Sequence, residues 1–426
     1  MKLRNLLFAT MFACAFASCS SDDDPTIDPT PAEAADAYLD ITIDAKTISS
    51  KAEDGDNYAQ TGETTVNNLT IAVFNASTHA LISSRRATEG KGDEDFTKTS
   101  ASSGATYEFN TPLKVKAIQV EVYVLANVPE AILKTANKLS DYEAALATLA
   151  TQKVGSNNNG LTMSTKLLKS TNALLDAKTA PVENPNMMGY VSSAEHPVAG
   201  CTDVINLQRV AARVQIGNVY STTFKEQEKV VITGVYMFNV RSDSKLLVKD
   251  DASLDYESEK QSFEAGKDDN IAPYIGDYKV KDETLSENEA LRIDLDEENY
   301  ITIDKNTTSQ SPRVLGKSFY VMPNNLLSVA EKDATPAYTL ISVKGKYTNP
   351  EGVEMPGDRW YTIIVGKTGV ESGEGKVVRN TVYDIATLDL TGSGSDSPYT
   401  PQVAAYLNAQ VQVKAWSFVT QTAVVD

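Results

Sequence analysis

Residue types that could perform enzymatic or metal chemistry are scarce in this 426-residue chain. The two histidines, His79 and His196, have no cysteine or second histidine at a spacing that binds a metal. Acidic clusters at Asp250–Asp251, at Asp268–Asp269 and in "DLDEEN" lack the spaced Asp/Asn–Gly–Glu pattern of a calcium loop. The stretch "GSGSDSP" lacks the strand–turn–helix context of a phosphate loop or a nucleophile elbow. We therefore expect no catalytic residues, no cofactor and no metal, and we predict that the chain is not an enzyme.

Covalent modification is predicted at one position, Cys19. The start "MKLRNLLFATMFACAFASC" has two basic residues, then an apolar run, then small residues, as a secretory signal peptide does. The run is too short to span a bilayer. Phe16–Cys19 resembles a bacterial lipobox, which implies cleavage between Ser18 and Cys19 and acyl chains on Cys19 that anchor the chain in a membrane. A plain secretion signal with an incidental cysteine is the alternative.

The remaining cysteines and the net charge exclude several classes of protein. Cys14 would leave with the signal peptide and Cys201 would stand alone, so we expect no disulfide and no thiol metal site. The formal net charge is -18 and no basic cluster stands out, so nucleic acid is not an expected partner.

Two stretches alternate apolar and polar residues, as strands with one buried face do. In "YLDITIDAK" the apolar positions are Leu39, Ile41, Ile43 and Ala45. In "LNAQVQVKAWSFVTQTAVVD" they are Leu407, Ala409, Val411, Val413, Ala415, Val419, Ala423 and Val425. Trp416 and Phe418 break the second pattern, and either lock the strand where it leaves its own domain or pack on that domain. Because both stretches begin with Leu after Ala–Tyr, we expect one groove with matching pockets to accept either.

Strand patterns far outnumber helical ones, and turn residues recur between them. The predicted fold class is mainly β, with two β-sandwich domains. A small helical insert in the first domain is predicted at "SDYEAALATLATQ", where Ser140 and Glu143 have the spacing of a capping box. The predicted divisions are a signal peptide (1–18), a disordered acidic and Pro-containing linker (19–36), a first domain (37–200, with its first strand at 38–46), a second domain (201–398) and C-terminal strands (399–426).

Several short motifs, in this order, carry a resemblance to a known family. They are "VYVLANVP", "LQRVAARVQI", "FYVMPN", "VVRNTVYDI" and "GSGSDSP". Together with the lipobox they resemble the type V fimbrillins, the pilus subunits of the Bacteroidales. The stretch "RNTVYDIATLDLTGSGSDSP" looks closer to the minor-fimbria shaft subunits than to the major-fimbria ones. The resemblance implies two transthyretin-like β-sandwich domains.

The resemblance also implies assembly by strand exchange. A lipidated precursor on the outer membrane keeps its first strand in its own first-domain groove until a maturation protease cuts the following loop. The strand then leaves with the lipid, and the C-terminal strand of a neighbour enters the groove. In this chain the displaced strand would be Leu39 to Ala45 and the donor Leu407 to Val425. The implied partners are further copies, other fimbrial subunits (anchor and tip), the protease and the outer membrane, and the implied final location is the fimbrium.

The chain departs from the family at the expected cleavage site. Shaft subunits are typically cut after an arginine in the loop that follows the first strand, but this chain has no arginine between Arg4 and Arg85. Lys46 and Lys51 are the candidate sites, and "SSRRAT" ranks lower because cutting there would also remove "LTIAVF". An uncleaved anchor or accessory adhesin of the same fold is the second hypothesis. A glycan-binding surface lipoprotein is the third, which predicts an exposed aromatic platform.

Overall fold

A computed structural model describes residues 34–45, 62–63, 65–90, 96–101, 104–154, 160–189, 205–247, 262–266, 284–324, 338–366, 375–398 and 407–415. The predicted lipidation and signal-cleavage residues, Cys19 and Ser18, lie outside these ranges. So do the candidate cleavage residues Lys46 and Lys51, and the distal donor positions Val419, Ala423 and Val425.

The first part of the chain forms thirteen described strands and two short helices. The strands are β1 (Asp36–Ala45), β2 (Asn68–Asn75), β3 (Leu81–Thr88), β4 (Phe96–Ala101), β5 (Gly104–Phe109), β6 (Leu113–Lys116), β7 (Val120–Ala126), β8 (Leu146–Thr148), β9 (Met163–Ser164), β10 (Leu168–Lys169), β11 (Asn186–Met188), β12 (Ile205–Asn206) and β13 (Gln208–Arg209). The helices are α1 (Glu130–Leu133) and α2 (Leu139–Ala144), and a 3₁₀ turn covers Leu149–Thr151.

Two sheets of the first domain enclose an apolar core. One sheet has the order β11-β1-β5-β4, with β6 and β12 also paired to β1. The other has the order β13-β9-β7-β2-β3, with β10 paired to β7. Alternate residues of β1, β2 and β7 are buried between the sheets, so the core is built from strands that are far apart in sequence.

The helical insert is present, but its predicted position is wrong. Helix α2 begins at Leu139, because the Asp141 carboxylate accepts hydrogen bonds from the backbone N–H groups of Asn137 and Lys138. The helix ends at Ala144, since the next residues form β8 and pair with a strand about 100 residues further along. Ser140 therefore does not cap the helix, and most of the apolar pattern after it belongs to a strand and a 3₁₀ turn.

The second part of the chain forms thirteen further described strands. They are β14 (Ala212–Tyr220), β15 (Lys229–Phe238), β16 (Val240–Arg241), β17 (Asp243–Lys245), β18 (Ser262–Ala265), β19 (Thr284–Glu287), β20 (Arg292–Asp294), β21 (Ile301–Asp304), β22 (Arg313–Val321), β23 (Leu340–Thr348), β24 (Arg359–Ile364), β25 (Thr381–Leu390) and β26 (Leu407–Ala415). Short 3₁₀ turns cover Glu289–Leu291 and Glu297–Asn299.

The second domain is also a sandwich of two main sheets. One has the order β22-β14-β25-β26, and the other has the order β20-β15-β23-β24 with β21 paired to β15. Buried side chains of β14 and β25 pack in one cluster with those of β15 and β23. A small sheet, β16-β18-β19, accompanies this sandwich. The predicted fold class, mainly β with two sandwich domains, is confirmed.

The two domains share backbone pairing and a core. Strand β17 pairs with β8, so second-domain backbone is bonded to the strand that follows α2 in the first domain. Phe74, Tyr123 and Tyr142 pack edge to face, and they belong to the same apolar cluster as the second-domain core. Strands β12 and β13, which follow the predicted boundary at 200/201, pair with β1 and β9. This pairing favours a change of domain near Val210, and the exact division stays a prediction.

Candidate functional site

Strand β1 lies inside its sheet, and on each of its two sides it pairs with two different strands. On one side, Asp36–Leu39 pair with β6 and Thr42–Ala45 pair with β5, both antiparallel. On the other side, Leu39–Ile41 pair with β11 and Ile43–Asp44 pair with β12, both parallel. Among the described strands, β6, β11 and β12 have no ladder partner in this sheet other than β1. We call the space that β1 fills between these four strands the β1 groove.

The side chains of β1 that point into the domain are completely buried. Ala37, Leu39, Ile41 and Ile43 have no exposed surface. Burial of the three large ones stabilises the occupied groove by an amount on the order of 5–9 kcal/mol. The sequence prediction that this stretch is a strand with one buried face is confirmed. Its displacement stays a prediction.

Ion pairs also hold the first residue of β1 in the groove. The Asp36 carboxylate accepts hydrogen bonds at 2.8 Å from Lys114 Nζ and from Lys116 Nζ, which flank the β6 residue Val115. These two bonds hold the pKa of Asp36 at about 2, below the ordinary 3.8. The C-terminal stretch has no acidic residue at the matching position, since Ala404 stands at the same distance before Leu407.

A buried ionic cluster fixes the chain shortly before β2. Glu63 has no exposed surface, and both of its carboxylate oxygens lie 2.7 Å from Arg213 Nη1 of β14. Tyr320 of β22 donates its hydroxyl to Glu63 Oε1 at 2.8 Å, and Arg209 Nε donates to the Glu63 carbonyl at 3.1 Å. We call these four residues the Glu63 cluster. It joins the segment that precedes β2 to strands of the second domain.

Burial in this cluster shifts the acid–base properties of its members. Burial lowers the pKa of the Arg209 guanidinium to about 10, although the nearby Glu63 charge acts in the opposite direction. Burial, together with the Glu63 carboxylate, raises the pKa of the Tyr320 hydroxyl. Arg209 therefore stays charged at neutral pH. Sequence reasoning missed this cluster, because Glu63 and Arg213 are 150 positions apart.

The C-terminal strand lies at an edge of the second domain. Strand β26 pairs antiparallel with β25, with Val413 opposite Tyr383 and Val411 opposite Ile385. A bulge at Ala386 shifts the register, so that Ala409 lies opposite Leu388 and Leu407 opposite Leu390. The apolar positions of the predicted donor thus lie opposite buried residues of β25. In contrast to β1, β26 pairs with one described strand only.

The described residues contain no group of three or more His, Cys, Asp or Glu side chains arranged to hold a metal ion. His79 Nδ1 lies 2.7 Å from Glu121 Oε2, and the other oxygen of this carboxylate lies 2.6 Å from Lys169 Nζ. Across the same parts of the chain, no helix has the length and apolar character needed to cross a membrane.

Comparisons with known proteins point to one kind of protein, the fimbrial subunit. The family described as major fimbrial subunit protein (FimA) matches residues 37–209, which run from the second residue of β1 to the end of β13. A putative fimbrium tip subunit, Fim1C, of Parabacteroides distasonis is 29% identical over 250 residues, 57% of this chain and 58% of that protein. A major fimbrium subunit FimA type-4 of Porphyromonas gingivalis is 29% identical over 134 residues, 26% of this chain and 33% of that protein. The matches thus span between 33% and 58% of the length of these relatives.

Solved structures share the fold over most of the chain. A putative cell adhesion protein from Parabacteroides distasonis has a TM-score of 0.62 at 21% identity, covering 90% of this chain and all of that one. A fimbrilin (FimA) from Porphyromonas gingivalis W83 has a TM-score of 0.60 at 18% identity, covering 90% of this chain and 99% of that one. At these identities the likeness shows the fold alone.

The resemblance to fimbrial subunits is therefore confirmed, and the chain is a relative of these proteins in sequence and in fold. The finer preference for minor-fimbria shaft subunits stays a prediction, since the relatives named above are major-fimbrium and tip subunits.

The clamp on Asp36 predicts a pH-dependent contribution to the stability of the first domain. Because the folded-state pKa of about 2 lies below the ordinary 3.8, the clamp is fully stabilising above pH 3.8 and is lost as the pH falls through 2. Asp36→Asn should therefore lower the free energy of unfolding at neutral pH, and the difference from the parent should disappear near pH 2. The effect is small, since the pair is exposed to solvent. Urea unfolding across this range measures it, and a difference that persists at pH 2 or in 1 M salt would contradict the prediction.

The Glu63 cluster predicts a large cost for removing its carboxylate. Glu63→Gln leaves buried Arg213 facing a neutral amide, and we expect a loss of about 3–5 kcal/mol in the free energy of unfolding. The matched control is Glu226→Gln, which breaks an exposed ion pair with Lys305 and should change stability by less than about 0.5 kcal/mol. Denaturant titration of both variants checks this, and equal small effects would show that the cluster contributes little.

Proposed function

We propose that the chain is a shaft subunit of a fimbrium, which polymerises by donating its C-terminal strand to the β1 groove of the next copy. The observation that carries the proposal is that β1, which is paired on both edges and has one fully buried face, has a counterpart with the same alternating pattern at the C-terminal end. The relatives support the fimbrial role, and the pattern supports the exchange.

Strand exchange would be favourable because β26 lies at the edge of a sheet, whereas the β1 groove lies inside one. In its own domain β26 pairs along one edge, whereas an occupant of the β1 groove pairs along two. The move satisfies more backbone groups and places alternate side chains in the apolar interior. Nine residues of β26 span about 30 Å, which is about the length of the ten-residue β1. Strand β26 of a donor is therefore long enough to fill the groove.

Maturation would begin with a cut between β1 and β2. In this proposal Cys19 carries the lipid of an outer-membrane precursor, and cleavage after Lys46 or Lys51 releases β1 together with that lipid. Glu63 follows both candidate sites in the sequence, so the segment that it fixes to the second domain would stay in the mature chain. The proposed partners are other copies, anchor and tip subunits, the maturation protease and the outer membrane, and the mature location is the fimbrium.

A terminal subunit, uncleaved and acting as an anchor or accessory adhesin, is the second candidate. The missing arginine between Arg4 and Arg85 favours it, as does the relative named as a putative tip subunit. In that case β1 would remain in its groove, and no donor strand would enter.

The donor role predicts that a charge on the apolar side of β26 stops polymerisation. Val413→Asp would bring an unpaired carboxylate into the apolar groove of the next copy, at a cost of more than about 3 kcal/mol. We expect ladders on unheated denaturing gels to disappear while the monomer keeps its cooperative unfolding transition. Gln410→Asp, on the polar side of the same strand, is the control and should polymerise. Filament growth by Val413→Asp at the parental rate would refute the donor role.

N-terminal sequencing of protein shed from cells distinguishes the two candidates. A shaft subunit should begin just after Lys46 or Lys51, because release of β1 requires a cut in the segment between β1 and β2. A terminal subunit should retain β1 and remain with the membrane fraction. Shed filaments in which intact β1 is still covalently attached would contradict the shaft role.

A further inference from the structure

One wall of the β1 groove contacts three backbone carbonyl groups of β1. The Ala177 N–H donates to the Asp36 carbonyl at 2.8 Å. The Asn186 side chain donates from Nδ2 to the Tyr38 carbonyl at 2.8 Å. Further along, Gly189 lies against the Thr42 carbonyl. All three carbonyls belong to even-numbered residues, and carbonyls of alternate residues point to the same side of a strand.

Asn186 is held so that one N–H faces the groove. The side chain is fully buried, its Oδ1 accepts from the Leu175 N–H at 2.8 Å, and its Nδ2 donates to the Leu175 carbonyl at 2.9 Å. The amide is therefore oriented by its own domain, and its remaining hydrogen is directed at the Tyr38 carbonyl. In an empty groove that N–H would lose its partner, so the wall disfavours the empty state and accepts any strand that presents a carbonyl.

Gly189 provides the close approach that this wall needs. Its φ of +81° is in the left-handed region, and a Cβ at this position would lie 2.3 Å from the Thr42 carbonyl oxygen and 2.6 Å from Ile205 Cδ1. A side chain here would push against the backbone of the strand in the groove, whatever that strand's sequence. Only glycine leaves room for the strand in the groove to pair first with β11 and then with β12.

We propose that Asn186 and Gly189 are positioning residues that recognise the backbone of the strand in the β1 groove, and thereby admit β1 and the C-terminal strand of another copy alike. The proposal rests on the strand exchange proposed above. It divides the groove into a sequence-independent wall and a β1-specific clamp, the Lys114 and Lys116 pair on Asp36. The apolar interior of the domain then selects the side chains of the strand that occupies the groove.

The test measures how long each strand stays in the groove. The full chain receives a specific protease recognition sequence within residues 52–57, is cut there, and exchanges its β1 for fluorescent peptides of residues 36–45 or 405–415. Asn186→Ala should accelerate release of both peptides by a similar factor, about tenfold. Gly189→Ala should abolish stable binding of both. Asp36→Asn in the first peptide should accelerate release of that peptide alone.

Two matched variants separate groove recognition from general stability. Gln152→Ala removes a buried amide that bonds within the first domain, to Thr148 and Thr162, and makes no bond to β1. Gly90→Ala introduces a side chain at a φ of +77°, with no atom within 4 Å of the new Cβ. Both should leave the release rates within about twofold of the parent, because additive effects are expected for sites that share no contact.

Each outcome decides one statement. The role of Asn186 is overturned if Asn186→Ala releases the 36–45 peptide at the parental rate. It is also overturned if Gln152→Ala accelerates this release as much as Asn186→Ala does. Acceleration of one peptide without the other overturns backbone recognition. If the 405–415 peptide fails to bind even the parent groove, strand donation is wrong, while the 36–45 peptide still tests Asn186 and Gly189.

Discussion

The first domain depends on the pairing of β1 along both of its edges. Each edge of the groove is made of two short strands, and β1 is the described strand that spans all four. Unpaired N–H and C=O groups and an apolar floor would remain if β1 left and nothing replaced it. A protein that releases this strand therefore needs another strand to occupy the groove, and in the proposed exchange the loss of β1 would be coupled to the entry of a donor.

The positions of β1 and β26 would give the proposed strand exchange a direction. A central strand has two ladders and a buried face, whereas an edge strand has one ladder and is the more easily detached. The Asp36 clamp opposes release of β1, but it is exposed and weak compared with the burial of Leu39, Ile41 and Ile43. Proteolysis would make the loss of β1 irreversible, because the released strand is then no longer held near its groove by the chain.

The sequence predicted the strands with strict alternation and missed the contacts that join distant residues. The period-two pattern from Leu39 to Ala45 predicted both the strand and its buried face. It could not indicate the four partner strands, because their pairing depends on the tertiary fold. The helix prediction after Ser140 failed for the same reason, since β8 pairs with β17 in the other domain. Asn186 and Glu63 carry no local sign of burial, and both are polar residues in loop-like sequence.

The Glu63 cluster bears on where maturation can cut. The dibasic alternative, Arg85–Arg86, lies within β3, where Arg85 donates to the carbonyls of Thr111 and Pro112 and the backbone is paired with β2. Cleavage there would require β3 to open, and would separate β2 from the rest of the domain together with Glu63. Cleavage after Lys46 or Lys51 leaves β2 and the carboxylate on Arg213 in place. If the proposed maturation takes place, a cut after Lys46 or Lys51 would remove the occupant of the groove and preserve the junction between the domains.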